Sequence, residues 1–199
     1  MSRRLDLTCI SGVLACIVYL LSAGLAYARY PLAFSPSTHW LSDLGDRAVS
    51  AAGAPYYNAG ILITGPLVFL WFIGLTRWRV PGNLRQRWFL FITQAAGALG
   101  ALAIFMSAVF PIDLLAQHAF WSRVHYMMLA MGFGFSVAAL AVHPNFPRPL
   151  LYLGTMAAFL PLATWIAGDT YWLEWLSVGL FLAYVLSVGL AQRRRGDPA

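Results

Sequence analysis

The densest set of reactive side chains lies in one short stretch, Ser35-Pro36-Ser37-Thr38-His39-Trp40-Leu41-Ser42-Asp43-Leu44-Gly45-Asp46. Ser35 ahead of Pro36 reads as a helix N-cap followed by proline at the first helical position, and Gly45 as a helix stop. A short helix over Pro36 to Leu44 is therefore expected. On it His39, Ser42, Asp43 and Asp46 recur at i, i+3, i+4 and i+7 and share one face. A carboxylate one turn from a histidine can fix the orientation of the imidazole, which suits acid–base work. Ser42 adds a hydroxyl, but no Gly-x-Ser-x-Gly elbow surrounds it. There is also no His-Glu-x-x-His pair, phosphate loop or dinucleotide fingerprint. The same polar face equally suits the wet side of a helix lying at a membrane boundary.

Two further segments carry titratable groups. One runs from Phe110-Pro111-Ile112-Asp113 through His118 to Trp121-Ser122-Arg123-Val124-His125, and the other holds Asp169, Tyr171, Trp172 and Glu174. His39, His118, His125 and Asp113 are the side chains a divalent metal such as zinc would use, or an acid–base pair in its place. His118 and His125 are seven residues apart, about 10 Å along a continuous helix, so they share a metal only if His118 sits in a loop that folds back. Arg123 and Trp121 would face the substrate, with Arg123 set against an anionic headgroup. The plain alternatives are a cap role for Asp113, an ordinary loop histidine at 118 and an Arg123 that snorkels to headgroups. His125 is the sharpest case, because an ionisable group entering an apolar run is costly unless it faces a polar interior.

These groups must be held by membrane helices. The 199 residues are 60% hydrophobic and 10% charged, with mean hydropathy +0.70, whereas soluble domains carry about 25% charge. Six apolar runs stand out, roughly Leu7–Arg29, Tyr57–Arg77, Trp88–Phe110, Ser122–Val142, Leu150–Ala167 and Leu173–Ala191, the fifth being the shortest. The fold class expected is all-α, a single six-helix membrane domain over residues 1–199 with a short interfacial helix in the first extracytoplasmic loop. Pro66 and Pro161 lie inside two runs and should bend them without ending them. Leu7 to Leu25 exceeds the usual apolar core of a signal peptide, about 7–15 residues, so a first membrane helix is expected. Ala96/Gly100 and Gly97/Ala101 form small-xxx-small pairs that permit close helix approach. Gln94, Thr64 and Ser107 read as interhelical hydrogen bonds. Cys9 and Cys16 are two turns apart on one helix, too far for a disulfide, and read as buried thiols.

All thirteen cations are arginine. Arg3, Arg4, Arg77, Arg79, Arg85, Arg87, Arg148, Arg193, Arg194 and Arg195 fall on one side of the layout, and only Arg29, Arg47 and Arg123 on the other. The net charge of +6 thus reads as topology, with both termini cytoplasmic, and gives no reason to expect a nucleic-acid partner. Asp43, Asp46, Asp113, Asp169 and Glu174, five of the seven acids, lie on the arginine-poor side with His39, His118 and His125.

At Pro36-Ser-Thr-His39-Trp-Leu-Ser42-Asp43-Leu-Gly45, Tyr57-Asn58-Ala-Gly60, Phe110-Pro111-Ile-Asp113 and His125, the chain resembles the polytopic membrane proteins grouped as domain of unknown function 998. The Ser-Asp-Leu-Gly element is more distantly similar to the Frag/DRAM/Sfk membrane family, some of whose members are linked to lipid remodelling. The first resemblance implies a bacterial or archaeal plasma-membrane protein and no particular reaction.

Two functions follow as expectations. The first is an enzyme at the outer headgroup level acting on a lipid or isoprenoid-linked substrate, with His39, Ser42, Asp43, Asp113, His118 and His125 as its reactive set. The second is a non-catalytic lipid-binding, transporter-like or assembly protein, whose partners would be membrane lipids, a second copy or another membrane protein. Topology is testable first. A reporter fused after Ala199 should be active only in the cytoplasm, and activity on the outer side would reverse the orientation.

Overall fold

A computed structural model describes residues 6–167 and 170–195, with the side chains of 164–167, 194 and 195 left out of that description. Asp169, Arg3 and Arg4 lie outside it. Six long helices follow in order: α1 (Leu7–Tyr27), α2 (Ala54–Gly74), α3 (Leu84–Val109), α4 (Leu115–Ala141), α5 (Pro149–Ala167) and α6 (Tyr171–Arg195). No strand occurs among the described residues. Five of these helices, all but α5, are long and apolar enough to cross a membrane. In α5 the described apolar part, Pro149–Ala163, is shorter.

Each helix packs on its neighbours in sequence, and α6 returns to pack on α1, which closes the bundle into a ring. Its centre is aromatic. Trp71 and Phe72 of α2, Phe133 of α4 and Tyr184 of α6 are almost wholly buried and meet edge to face or stacked at 4.9–6.1 Å between ring centres. The polar atoms of Trp71, Tyr184 and Ser136 in this core are matched. The Trp71 indole N–H donates to the Val185 carbonyl at 2.9 Å, and the Tyr184 and Ser136 hydroxyls pair at 2.8 Å. Such bonds restrict how α2, α4 and α6 can rotate, since each would leave an unpaired group in an apolar interior.

The arginine-rich end is fastened by amides. The Gln86 side chain on α3 accepts the Val80 N–H at 2.6 Å and donates to the Trp78 and Ala139 carbonyls at 3.0 Å each. It thereby ties the end of α2, the start of α3 and the end of α4. Gln192 of α6 donates to Asp6, the N-cap of α1, at 2.9 Å. Arg77, Arg79, Arg85, Arg87, Arg148 and Arg193 cluster in the loops and helix ends here, while Arg29, Arg47 and Arg123 sit at the end that carries the long α1–α2 loop.

Three sequence expectations change. The helix expected over Pro36 to Leu44 is a turn at residues 36–38 followed by a 3-10 helix over Leu41–Gly45. The break falls at His39 and Trp40, so His39 does not share a face with Ser42 and Asp43 by helical periodicity. Helix α4 begins at Leu115, seven residues before the expected Ser122, because no glycine or proline interrupts residues 112–131. His118 is therefore on the same continuous helix as His125. Of the three polar residues read as interhelical bonds, only Gln94 makes one, to the Phe72 and Ile73 carbonyls. Thr64 and Ser107 donate within their own helices, to Gly60 and Ile104. Cys9 and Cys16 are free and buried, in keeping with the reading of their spacing.

The small residues on α3 set its approach to α2, at Gly97, and to α4, at Gly100. A Cβ on Gly97 would stand 2.2 Å from the Phe72 ring, and one on Gly100 would stand 2.8 Å from the Leu129 side chain. Since Phe72 is itself held in the central cluster, Gly97→Val should destabilise the bundle by about 1–3 kcal/mol. Thermal unfolding in detergent should show a lowered midpoint, and an unchanged one would mean that Phe72 moves aside freely.

Candidate functional site

At the long-loop end, Glu174 lies one turn inside α6 and is buried. Its carboxylate accepts the Leu41 N–H at 2.7 Å, and the Ser42 N–H and the Tyr126 hydroxyl also bond to it. The first residues of the 3-10 turn are thus tied to α6, and α4 is joined through Tyr126. Trp175 adds a second strap, donating its indole N–H to the His39 carbonyl at 3.0 Å. Within the turn, Asp43 accepts the Trp40 N–H at 2.9 Å, and below it Asn58 of α2 donates to the Gly45 carbonyl at 2.9 Å. Burial pushes the Asp43 carboxyl above its ordinary range, against the lowering effects of the Trp40 N–H and of His39.

Beneath this turn a cavity of about 100 Å³ opens between the helices. Its mouth is polar, with Ser42, Asn58, His118, Ser122, His125 and Glu174. Tyr19, Tyr57 and Tyr126 form a collar, in which the first two rings meet edge to face at 6.3 Å. Its floor is apolar and reaches the middle of the bundle, where Ala15, Val68, Phe133 and Val185 lie. The two histidines differ in state. His118 Nδ1 is 2.9 Å from the Phe110 carbonyl and 3.3 Å from that of Ser107. Carbonyls only accept, so Nδ1 carries a proton, and in a neutral ring the lone pair is on Nε2. His125 Nδ1 is buried and has no hydrogen-bond partner among the described residues, and its ring lies against Tyr126 with centres 4.0 Å apart.

The sequence-predicted residues therefore divide. Ser42, His118 and His125 line one cavity. His39 does not: its Nδ1 pairs with the Thr38 hydroxyl at 2.7 Å and its ring packs on Phe34 and Tyr30. Asp43 serves the turn and stands outside the lining. Asp113 is held by Arg47 through three charge-assisted hydrogen bonds at 2.6, 3.0 and 3.2 Å and makes none to His125. Arg123 is exposed and Trp121 packs on Phe120; neither lines the cavity. The set proposed for zinc is thus dispersed, and no group of three His, Cys, Asp or Glu side chains among the described residues is arranged to hold a metal ion.

Glu174, Tyr126, Tyr19 and Tyr57 were not picked out from the sequence as site residues. The signal was present for Glu174, a carboxylate just inside an apolar run, which is the cost argument applied to His125. The tyrosines gave none, because interfacial tyrosine is commonplace in membrane proteins.

The Arg47–Asp113 pair joins the first loop to the second at the surface. Arg47 holds the Asp113 carboxyl below its ordinary value of 3.8. A lowered folded-state pKa means the contribution is present above that value and is lost as pH falls through the folded one. Hydrogen exchange at residues 110–114 should thus quicken below about pH 4 and in Asp113→Asn at neutral pH, with the effect shrinking in high salt. For the buried strap, Glu174→Ala leaves the Leu41 and Ser42 N–H groups without acceptors, at about 1–3 kcal/mol each. Their amides should exchange at least tenfold faster, and unchanged protection would mean that Glu174 does not hold the turn.

No family model matches the chain, and neither a curated protein nor a solved structure matches it.

Proposed function

We propose that the protein binds a single-chain amphiphile of lipid type in the cavity at its long-loop end, with the chain buried in the bundle and the head at the polar mouth. The observation that carries this reading is the cavity's gradient, from serine, histidine and glutamate at one end to valine, phenylalanine and alanine at mid-bundle. Amphiphiles present that gradient in reverse, and a pocket with an apolar body and a few convergent polar groups is the usual form of a small-molecule site. The arginine distribution supports a six-span arrangement with both termini cytoplasmic and the cavity mouth outward, and the resemblance to domain of unknown function 998 implies a prokaryotic plasma membrane. Membership among the proteins of domain of unknown function 998 fits the quoted motifs and belongs to the same reading.

A catalytic role is the second reading, favoured by His118. Its Nδ1–H is fixed on backbone carbonyls, which leaves Nε2 basic on a residue that lines the cavity with the hydroxyls of Ser42 and Ser122. That is the state a general base requires.

Binding is tested by mass spectrometry of protein purified in mild detergent. An amphiphile should co-purify with the native chain, and Val178→Phe, which adds a ring beside the cavity, should lose it while remaining folded. Equal retention by the variant would place the ligand elsewhere. If the site is catalytic, His118→Gln should abolish turnover of the retained molecule without abolishing its binding.

A further inference from the structure

Which head the mouth accepts follows from its charges and lone pairs, given the amphiphile reading above. None of the residues lining the cavity is an arginine, and the chain has no lysine. The three arginines at this end are placed elsewhere. Arg29 donates to the Leu25 carbonyl and lies over the Tyr56 ring, Arg47 holds Asp113, and Arg123 is exposed on the outer surface of α4. What the cavity does offer is acceptors. Glu174 is a carboxylate whose described partners are all neutral donors, so no ion pair with it occurs among the described residues. His118 presents Nε2 as a lone pair, because Nδ1–H is committed to Phe110. His125 adds a buried, unpartnered Nδ1. The tyrosine collar of Tyr19, Tyr57 and Tyr126 contributes ring faces of the kind that attract cations.

We propose that the cavity selects an amphiphile with a primary ammonium head and rejects one with a phosphate head. An ammonium brings three donors and no acceptor, which complements Glu174 and the His118 lone pair; a phosphate brings charge of the same sign as Glu174. A cation next to a buried carboxylate also relieves the cost of leaving that charge without a counter-ion. Arg123, read from sequence as set against an anionic headgroup, does not line the cavity.

The experiment compares dodecylamine, dodecanol and dodecyl phosphate, each titrated into the full chain in nonionic detergent at pH 8, where imidazole is ordinarily neutral and an alkylamine charged. Binding is read from displacement of the co-purified molecule. Dodecylamine should bind tighter than dodecanol by about tenfold, and dodecyl phosphate weaker than dodecanol. Glu174→Gln should remove the amine's advantage over dodecanol. Because Glu174 also holds the turn, Ser122→Arg provides an independent test, and it should weaken the amine and admit the phosphate. Phosphate binding equal to or tighter than amine binding in the native chain would overturn the selectivity while leaving the amphiphile site standing. Binding of none of the three would overturn both.

Discussion

A carboxylate set at membrane depth must find donors, a cation or water, and the long-loop end of this protein is built around one that finds donors. Glu174 takes the Leu41 N–H, the Ser42 N–H and the Tyr126 hydroxyl. By doing so it converts a loop of Ser, Thr, His and Asp residues into a lid fixed over the bundle. The 3-10 turn has too few residues to be stable alone. Its leucines Leu41 and Leu44 are buried with Tyr19, Tyr57 and Ala108, so burial and hydrogen bonding act at the same place. The cavity exists because this lid rests on a collar of tyrosines above the central aromatic cluster.

The two ends of the bundle use the same physics with different side chains. At the arginine-rich end Gln86 and Gln192 satisfy backbone groups of neighbouring helix ends with neutral amides. Gln86 is matched at both its oxygen and its nitrogen, while Gln192 keeps a buried Oε1 with no partner among the described residues. At the other end the matching is incomplete: Glu174 has donors but no counter-ion among the described residues, His118 has one nitrogen free, and His125 has a buried nitrogen without a partner. Buried polar groups in native proteins are ordinarily satisfied, so a cluster of incompletely satisfied ones beside a cavity indicates where something else binds.

The sequence was informative where a signal is carried by long runs. Apolar length gave the helices, arginine placement the two ends, and small-residue spacing the α2–α3 approach. It was less informative in the 35–46 stretch. There Gly45 does end the helix, but Ser35-Pro36 opens a turn and no helix, and the 3-10 helix starts at Leu41, whose N–H is tied to Glu174, 133 residues away. Side-chain direction was the other loss. His39 and Asp113 share an end with His118, yet one is folded onto Phe34 and the other is claimed by Arg47. Those outcomes depend on partners distant in sequence, which local spacing does not encode.

The central claim is that the cavity under Ser42 opens to the side opposite the termini and receives an amphiphile. A chain carrying Ser42→Cys, with Cys9 and Cys16 replaced by serine, tests it by labelling in intact cells with a membrane-impermeant maleimide. The account predicts labelling from outside that slows several-fold when a single-chain amphiphile is added. Labelling only after the membrane is opened, or a rate indifferent to the amphiphile, would contradict it.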